Sequence, residues 1–448
     1  MSFNYAISNA SAGMRTEFYN AAKSFRPVKN VLKQSVAEFA SRANKEGQFL
    51  SWVDLPKAQI ARVDKIYDMV RQLKGQTDAK VLTVLGIGGS KHTVEHMLGI
   101  NGLNLKGDKV KFYSDIDSTS FNRYLQEIDG DITKSNFLVA SKSGSTFETK
   151  DGMLRVMEKF KEKMDPKGLF PLGTAKDIGK YMVAVTDKDP SKSELRRLSD
   201  KNEWLGDLYI HDDVGGRFSA LDDHALFALA YAGMKKSDMI KMLQGAQDMS
   251  DIALNPSIHV NSPLMQAAFW AGSRLNGIKD SVHQYLGNMF KDTAVWHTQM
   301  QNESIKDSSR QITKITDAMH HSSEAWYNPA NKYAFGLTAP MDHGAASENT
   351  NGYIGAIAKS NMMSGPAMVE HVETAELGLT PETAGAMTQA KGFATVYQGI
   401  IERFAKGEKQ PEVLPEVLQP NVEFYKKNLK PIGGNEPPVV AGRISVNA

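Results

Sequence analysis

"SNFLVASKSGSTFETKDGML", Ser135 to Leu154, is the stretch on which the reading of this chain turns. Phe137-Leu138-Val139-Ala140 is short and apolar, as a strand buried on both faces must be. It stops at Ser141-Lys142-Ser143-Gly144-Ser145-Thr146-Phe147-Glu148-Thr149, where five of nine residues carry hydroxyls. From Glu148 to Lys163 the pattern turns helical, with Met153, Val156, Met157 and Phe160 on one side. A helix start presents unpaired N–H groups and a partial positive charge, and hydroxyls aimed into the same space add neutral donors. Such a loop binds a phosphate group without a metal. Ser, Thr and Gly also serve as plain helix caps, but the density of hydroxyls favours an anion site.

Working outward, Pro56 to Lys74 reads as an amphipathic helix through Ile60, Val63, Ile66, Val70 and Leu73. Val81 to Leu85 reads as a strand ending at Gly86-Ile87-Gly88-Gly89-Ser90, with a helix through Val94 and Met97 behind it. Val110 to Tyr113 and Tyr181 to Val185 are further strands. Short apolar strands alternating with helices predict an α/β fold with a parallel sheet covered on both faces, which binds ligands at the carboxyl ends of its strands. Both the glycine cluster and the hydroxyl loop fall at such ends. The glycines do not fit a dinucleotide fingerprint, because Lys91 stands where the third glycine belongs.

The second half begins near His211-Asp212-Asp213-Val214-Gly215-Gly216-Arg217-Phe218-Ser219. Leu226 to Ala230 reads as a buried helix and Asp292 to Asn302 as another. Strands near Ser281 to Leu286 and Tyr333 to Leu337 suggest a second α/β unit. Pro411, Pro415 and Pro420 mark an irregular connection before a short helix, Asn421 to Leu429, and an extended tail. The charge run Glu158 to Lys163 reads as a solvated helix face.

The 448 residues give room for two to three domains, and 41% hydrophobic against 23% charged residues can bury a large core. A net charge of +2 argues against nucleic-acid and membrane partners but leaves an anionic small molecule open. With no cysteine, disulfides, thiolate–zinc sites and thiol catalysis are excluded, in keeping with a cytoplasmic location. The N-terminus lacks a signal-peptide pattern, and no window approaches the roughly 20 apolar residues of a membrane span. His92-Thr93-Val94-Glu95-His96 fits the H-x-x-E-H of inverted zinc peptidases. Three fixed letters carry little specificity, so an exposed polar helix face is the preferred reading, and no metal or other cofactor is expected.

Four ordered stretches then give a more specific result. "GIGGS" (86–90), "SKSGSTFET" (141–149), "DDVGGRFS" (212–219) and "QPNVEFYKKN" (419–428) together resemble the glucose-6-phosphate isomerase family. The resemblance runs from about Val81 to Asn428 and is poor between Asn331 and Thr395. It implies two sugar-isomerase (SIS) domains, each a flavodoxin-like parallel sheet flanked by helices, at 51–210 and 211–410. An N-terminal helical segment, 1–50, and a C-terminal helix and tail, 411–448, complete the expected organisation. It also implies a homodimer with the site at its interface, and interconversion of glucose 6-phosphate and fructose 6-phosphate through an enediolate.

By that resemblance Ser141, Ser143, Thr146 and Thr149 hold the phosphate, with Gln419 near it. Ser90 and the backbone of Gly89 contact the sugar, Arg217 stabilises the enediolate oxyanion, and Lys426 assists ring opening. Glu303 is the base. The family reads E-S-x-G-K there, whereas this chain has Glu303-Ser304-Ile305-Lys306, one residue shorter and without the glycine. The ring-opening histidine falls in Met319-His320-His321-Ser322, with His321 preferred to His320 and delivered from the partner subunit. Lys142 and Glu148 receive no chemistry. Two alternatives are an isomerase of another sugar phosphate on the same scaffold and a sugar-phosphate-binding protein without catalysis.

Overall fold

The computed structural model describes residues 5–9, 13–43, 45–102, 109–164, 176–257, 259–278, 280–305, 314–316, 333–341, 365–375 and 378–418, with 354, 356 and 357. The chain opens with two antiparallel strands, β1 (Tyr5–Asn9) and β2 (Met14–Tyr19). The N-terminal 50 residues were expected to be helical; helices appear there only from Ala22 onward, at Ala22–Phe25 and Leu32–Ala43. The hairpin escapes a helical reading because β2 alternates buried and more exposed residues at a period of two, over only six residues.

The first sheet contains β3 (Val81–Leu85), β4 (Lys109–Tyr113), β5 (Ser135–Ala140), β6 (Met182–Thr186) and β7 (Leu205–Tyr209). Its order is β4-β3-β5-β6-β7 and every pairing is parallel. That is the 2-1-3-4-5 order of a flavodoxin-like doubly wound sheet. Side chains alternate between two apolar layers. Leu82, Val84, Leu138, Ala140, Val183 and Val185 face the large central core, with Val94, Met97 and Ile100 of the Gly89–Ile100 helix. Leu85, Phe137, Val139 and Ala184 face Phe121 and Tyr124 of helix Ser118–Glu127 and Val156 and Phe160 of helix Phe147–Met164.

The second sheet is built from β8 (Asp280–Tyr285), β9 (Lys314–Thr316), β10 (Tyr333–Met341) and β11 (Ala367–Ala375), with β12 (Gly378–Leu379) antiparallel to the end of β11. The order along its main path is β1-β2-β11-β10-β8-β9. From β9 to β11 this repeats the order of the first sheet with parallel pairings. The N-terminal hairpin takes the fifth position, with β2 antiparallel to β11. A strand from the far end of the sequence therefore completes this unit.

Helix Pro381–Ala405 is buried along nearly its whole length and packs against helices Lys236–Ala253 and Ser262–Leu275. This helix and β11 lie largely in the stretch that matched the family poorly, yet they form the middle of the second unit. The helix expected over Pro56 to Lys74 is two helices, Leu55–Ile60 and Val63–Gln76. The break lets Gln59 and Arg62 both reach the buried carboxylate of Asp223, at 3.0 Å and 2.5 Å. The expected helix 421–429 and the tail lie outside the described residues.

Candidate active site

Six segments of the chain, loops and helix ends, converge at the carboxyl edge of the first sheet. β3 runs into Gly86–Ser90, where Gly88 has φ +53° and the helix starts at Gly89. A Cβ on Gly89 would lie 2.3 Å from the carbonyl carbon of Gly216, so this glycine permits backbone-to-backbone contact with the Val214–Arg217 loop. β5 runs into the hydroxyl loop. Within it the Gly144 N–H donates to Ser141 Oγ at 3.2 Å, and Ser141 Oγ donates to Thr146 Oγ1 at 3.2 Å. Thr149, in the first turn of the following helix, is buried, and its Oγ1 has no hydrogen-bond partner among the described residues.

These elements enclose a cavity of about 540 Å³. Gly89, Ser90, Ser141, Thr146, Thr149 and Glu303 line it, so six of the residues expected from sequence share one space. Ser143 is not on the wall; its Oγ pairs with Ser145 Oγ at 2.7 Å. Arg217 lies behind the wall, fully buried, with Nη1 3.4 Å from Glu303 Oε2 and Nε donating to Ser304 Oγ at 2.8 Å. Its Nη2 donates to the carbonyls of Glu416 and Leu418. Burial draws the Arg217 pKa down to about 10 against the opposing pull of Glu303 and Glu416, so it remains a cation at neutral pH. His320, His321, Gln419 and Lys426 lie outside the described residues.

Sequence reading passed over Gln299 and gave Lys142 no role. Gln299 lines the cavity one helical turn before Glu303 and donates to Glu303 Oε1 at 2.8 Å. The i, i+4 spacing on one helix was the signal available for it. Lys142 also lines the cavity, and its Nζ donates to the carbonyls of His211 and Asp212. Burial lowers its pKa, partly offset by Asp212 and Asp187. It ties the hydroxyl loop to the loop that carries Arg217. Phe49 reaches the cavity from the N-terminal region, and no local signal marks it.

The H-x-x-E-H match is structural, although its helix face is less exposed than expected. His96 is fully buried, with ring nitrogens 2.9 Å from Thr293 Oγ1 and 3.0 Å from Thr388 Oγ1, and it stacks on Trp296. Both nitrogens are thus engaged, while His92 pairs with Glu95 at 2.9 Å. Among the described residues no group of three His, Cys, Asp or Glu could hold a metal ion.

A parallel doubly wound sheet with a hydroxyl-rich helix start and a carboxylate in one cavity defines a sugar-isomerase-type α/β protein. The family model described as phosphoglucose isomerase matches residues 30–326, well over half of the chain. The chain belongs to the phosphoglucose isomerase family. A glucose-6-phosphate isomerase of Clostridium perfringens is 34% identical over 234 residues, 49% of this chain and 47% of that protein. One from Acetivibrio thermocellus is 32% identical over 243 residues, 50% and 49% respectively. The chain thus spans about half the length of the curated relatives it matches. Among solved structures, a hypothetical protein of Thermus thermophilus superposes with TM-score 0.73 at 20% identity, over 93% of this chain and 98% of that one. A glucose-6-phosphate isomerase of Chlamydia trachomatis gives 0.67 at 18%, over 95% and 89%. At such identities these superpositions establish the fold.

Proposed function

We propose that this chain interconverts glucose 6-phosphate and fructose 6-phosphate, an aldose–ketose isomerisation through an enediolate. The observation that carries this reading is the sharing of one cavity by the hydroxyl loop and Glu303. The phosphate is held by Ser141, Thr146 and Thr149 together with the N–H groups of the helix that starts at Phe147, with Gln419 nearby on the family resemblance. The buried Thr149 hydroxyl is an atom that a phosphate oxygen would satisfy. Ser90 and the Gly89 backbone meet the sugar.

Ring opening is assigned to Lys426 and to His321 from a partner copy, on the family resemblance. Glu303 takes the proton from C2 of the open aldose and returns it to C1 of the enediolate while the hydroxyl proton passes from O2 to O1, and the reverse reaction exchanges those carbons. Gln299 holds the Glu303 carboxylate while it does so. Arg217 sets a positive charge behind Glu303, where negative charge develops on the enediolate oxygens. The steps require neither metal nor redox cofactor. The same resemblance supports a cytoplasmic homodimer acting in glycolysis and gluconeogenesis; among the described residues no helix is long and apolar enough to cross a membrane.

The shortened Glu303-Ser304-Ile305-Lys306 favours one second reading, a different sugar phosphate on the same scaffold. Fructose 6-phosphate offered with glucose-6-phosphate dehydrogenase and NADP distinguishes the two. Steady NADPH formation, unchanged by chelator, is expected. Its absence, with turnover of another ketose phosphate, would transfer the assignment to that sugar.

A further inference from the structure

We infer that Glu416 is a positioning residue of this active site: its carboxylate docks the 411–418 segment onto the central helix so that Arg217 is held facing Glu303. This rests on the isomerase reading for its catalytic consequence. The docking itself is independent of that reading. Val417 and Leu418 form part of the cavity wall, although no regular element carries them. Three arginines grip this segment. Arg42 Nη1 donates to the Glu412 carbonyl at 2.6 Å. Arg403 Nη1 and Nη2 donate to Glu416 Oε1 and Oε2 at 2.5 and 2.9 Å, a two-pronged pair, while its Nε donates to Gln410 Oε1 at 2.8 Å. Arg217 Nη2 closes the set on the Glu416 and Leu418 carbonyls.

The Arg403–Glu416 pair is well buried, with side chains 15% and 4% exposed, so its planar geometry fixes position as well as supplying attraction. Helix Pro381–Ala405 is cut away to receive it: a Cβ on Gly399 would lie 1.9 Å from Glu416 Oε1. A glycine inside a helix is unfavourable unless something packs against it, and here Glu416 does. Glu416 therefore serves twice. Its carboxylate locks the segment to the helix, and its carbonyl orients the guanidinium that faces Glu303. If the lock is lost, Arg217 keeps its Ser304 contact but loses the carbonyls that fix the other end of its fork.

Two variants test this from opposite sides. Glu416→Gln removes the charge, and Gly399→Ala removes the space while favouring the helix. In both, kcat for fructose 6-phosphate should fall on the order of 10- to 100-fold, as small misplacements of catalytic groups do. KM should stay within about twofold, because the hydroxyl loop that sets anion affinity is untouched. Amide hydrogen exchange across 411–418 should quicken, with 141–149 unchanged. Exchange across 411–418 that matches the parent chain would overturn the docking role. Quickened exchange with unchanged kcat would overturn the catalytic one. A parent chain that turns over no sugar phosphate would refute the isomerase reading instead, and exchange would still decide the docking.

Discussion

The two sheets share one strand order and differ in what they bury. The first is apolar or neutral through its middle: Leu82, Val84, Leu138, Val139, Val183 and Val185 are all 0–1% exposed, and the buried polar side chains among them, Thr83, Ser135 and Asn136, carry no charge. The second buries charge. Lys391 Nζ lies 2.5 Å from Glu370 Oε2 with both side chains essentially inaccessible, and Gln266 and Thr338 donate to the same carboxylate. His283 pairs with Thr338, and Tyr285 with His297, which lies on helix Lys291–Ser304, the helix that carries Glu303 in its last turn. The apolar sheet presents the loop proposed to grip the anion, whereas the polar one supports the helix that carries the proposed base. A rigid apolar platform suffices for binding. Holding a carboxylate within proton-transfer distance of two carbons demands a directional framework, and hydrogen bonds to buried groups supply direction where apolar contacts do not.

That contrast can be broken experimentally. Glu303→Gln should reduce kcat by about 10²- to 10⁴-fold, the range for a general base, with KM nearly unchanged, in the coupled assay. Retained turnover would remove Glu303 from the mechanism. Lys391→Met leaves Glu370 buried without a counter-charge, which should destabilise the chain by about 3–5 kcal/mol in urea unfolding. A similar cut in the first sheet, Val139→Ala, should cost only about 1–3 kcal/mol, because no charge is stranded. Equal losses would erase the distinction. Thr146→Val should raise KM roughly tenfold or more with kcat preserved, since a hydrogen bond to a charged group is worth about 1.5–3 kcal/mol. An unchanged KM would displace the phosphate site.

A further expected effect is on pH. Burial pushes His96 down to about 3 and holds His283 and His297 well below their ordinary range, with the Lys391 charge adding to the effect. These histidines are neutral when folded and bind protons when unfolded near pH 6, so stability is complete above about 6.5 and falls on acidification. Each contributes a slope of up to about 1.4 kcal/mol per pH unit below that point. The urea midpoint should therefore drop from pH 7 to pH 5, and less steeply in His297→Gln. A flat profile would mean that these histidines are not neutral and buried as the fold requires.

The same contrast explains what could be read from sequence. β3, β5 and β6 are runs of apolar residues bounded by glycine or hydroxyl loops, and such runs identify themselves. β11, Ala-Met-Val-Glu-His-Val-Glu-Thr-Ala, hides Glu370 in a fully buried position, so its pattern mimics a half-exposed segment. β2 depends on a partner some 350 residues away, which no local window contains. At the site, Ser141, Thr146 and Thr149 declared themselves by density and Glu303 by motif. The place of Arg217 behind the wall, the turn of Ser143 toward Ser145, and the reach of Phe49 into the cavity arise from packing between distant segments.

Calorimetric titration of the Glu303→Gln chain with fructose 6-phosphate tests the separation of grip from chemistry most directly. Binding with the affinity of the parent chain, with no glucose 6-phosphate formed, is the result this account predicts. Loss of binding in that variant, or turnover that persists in it, would contradict it.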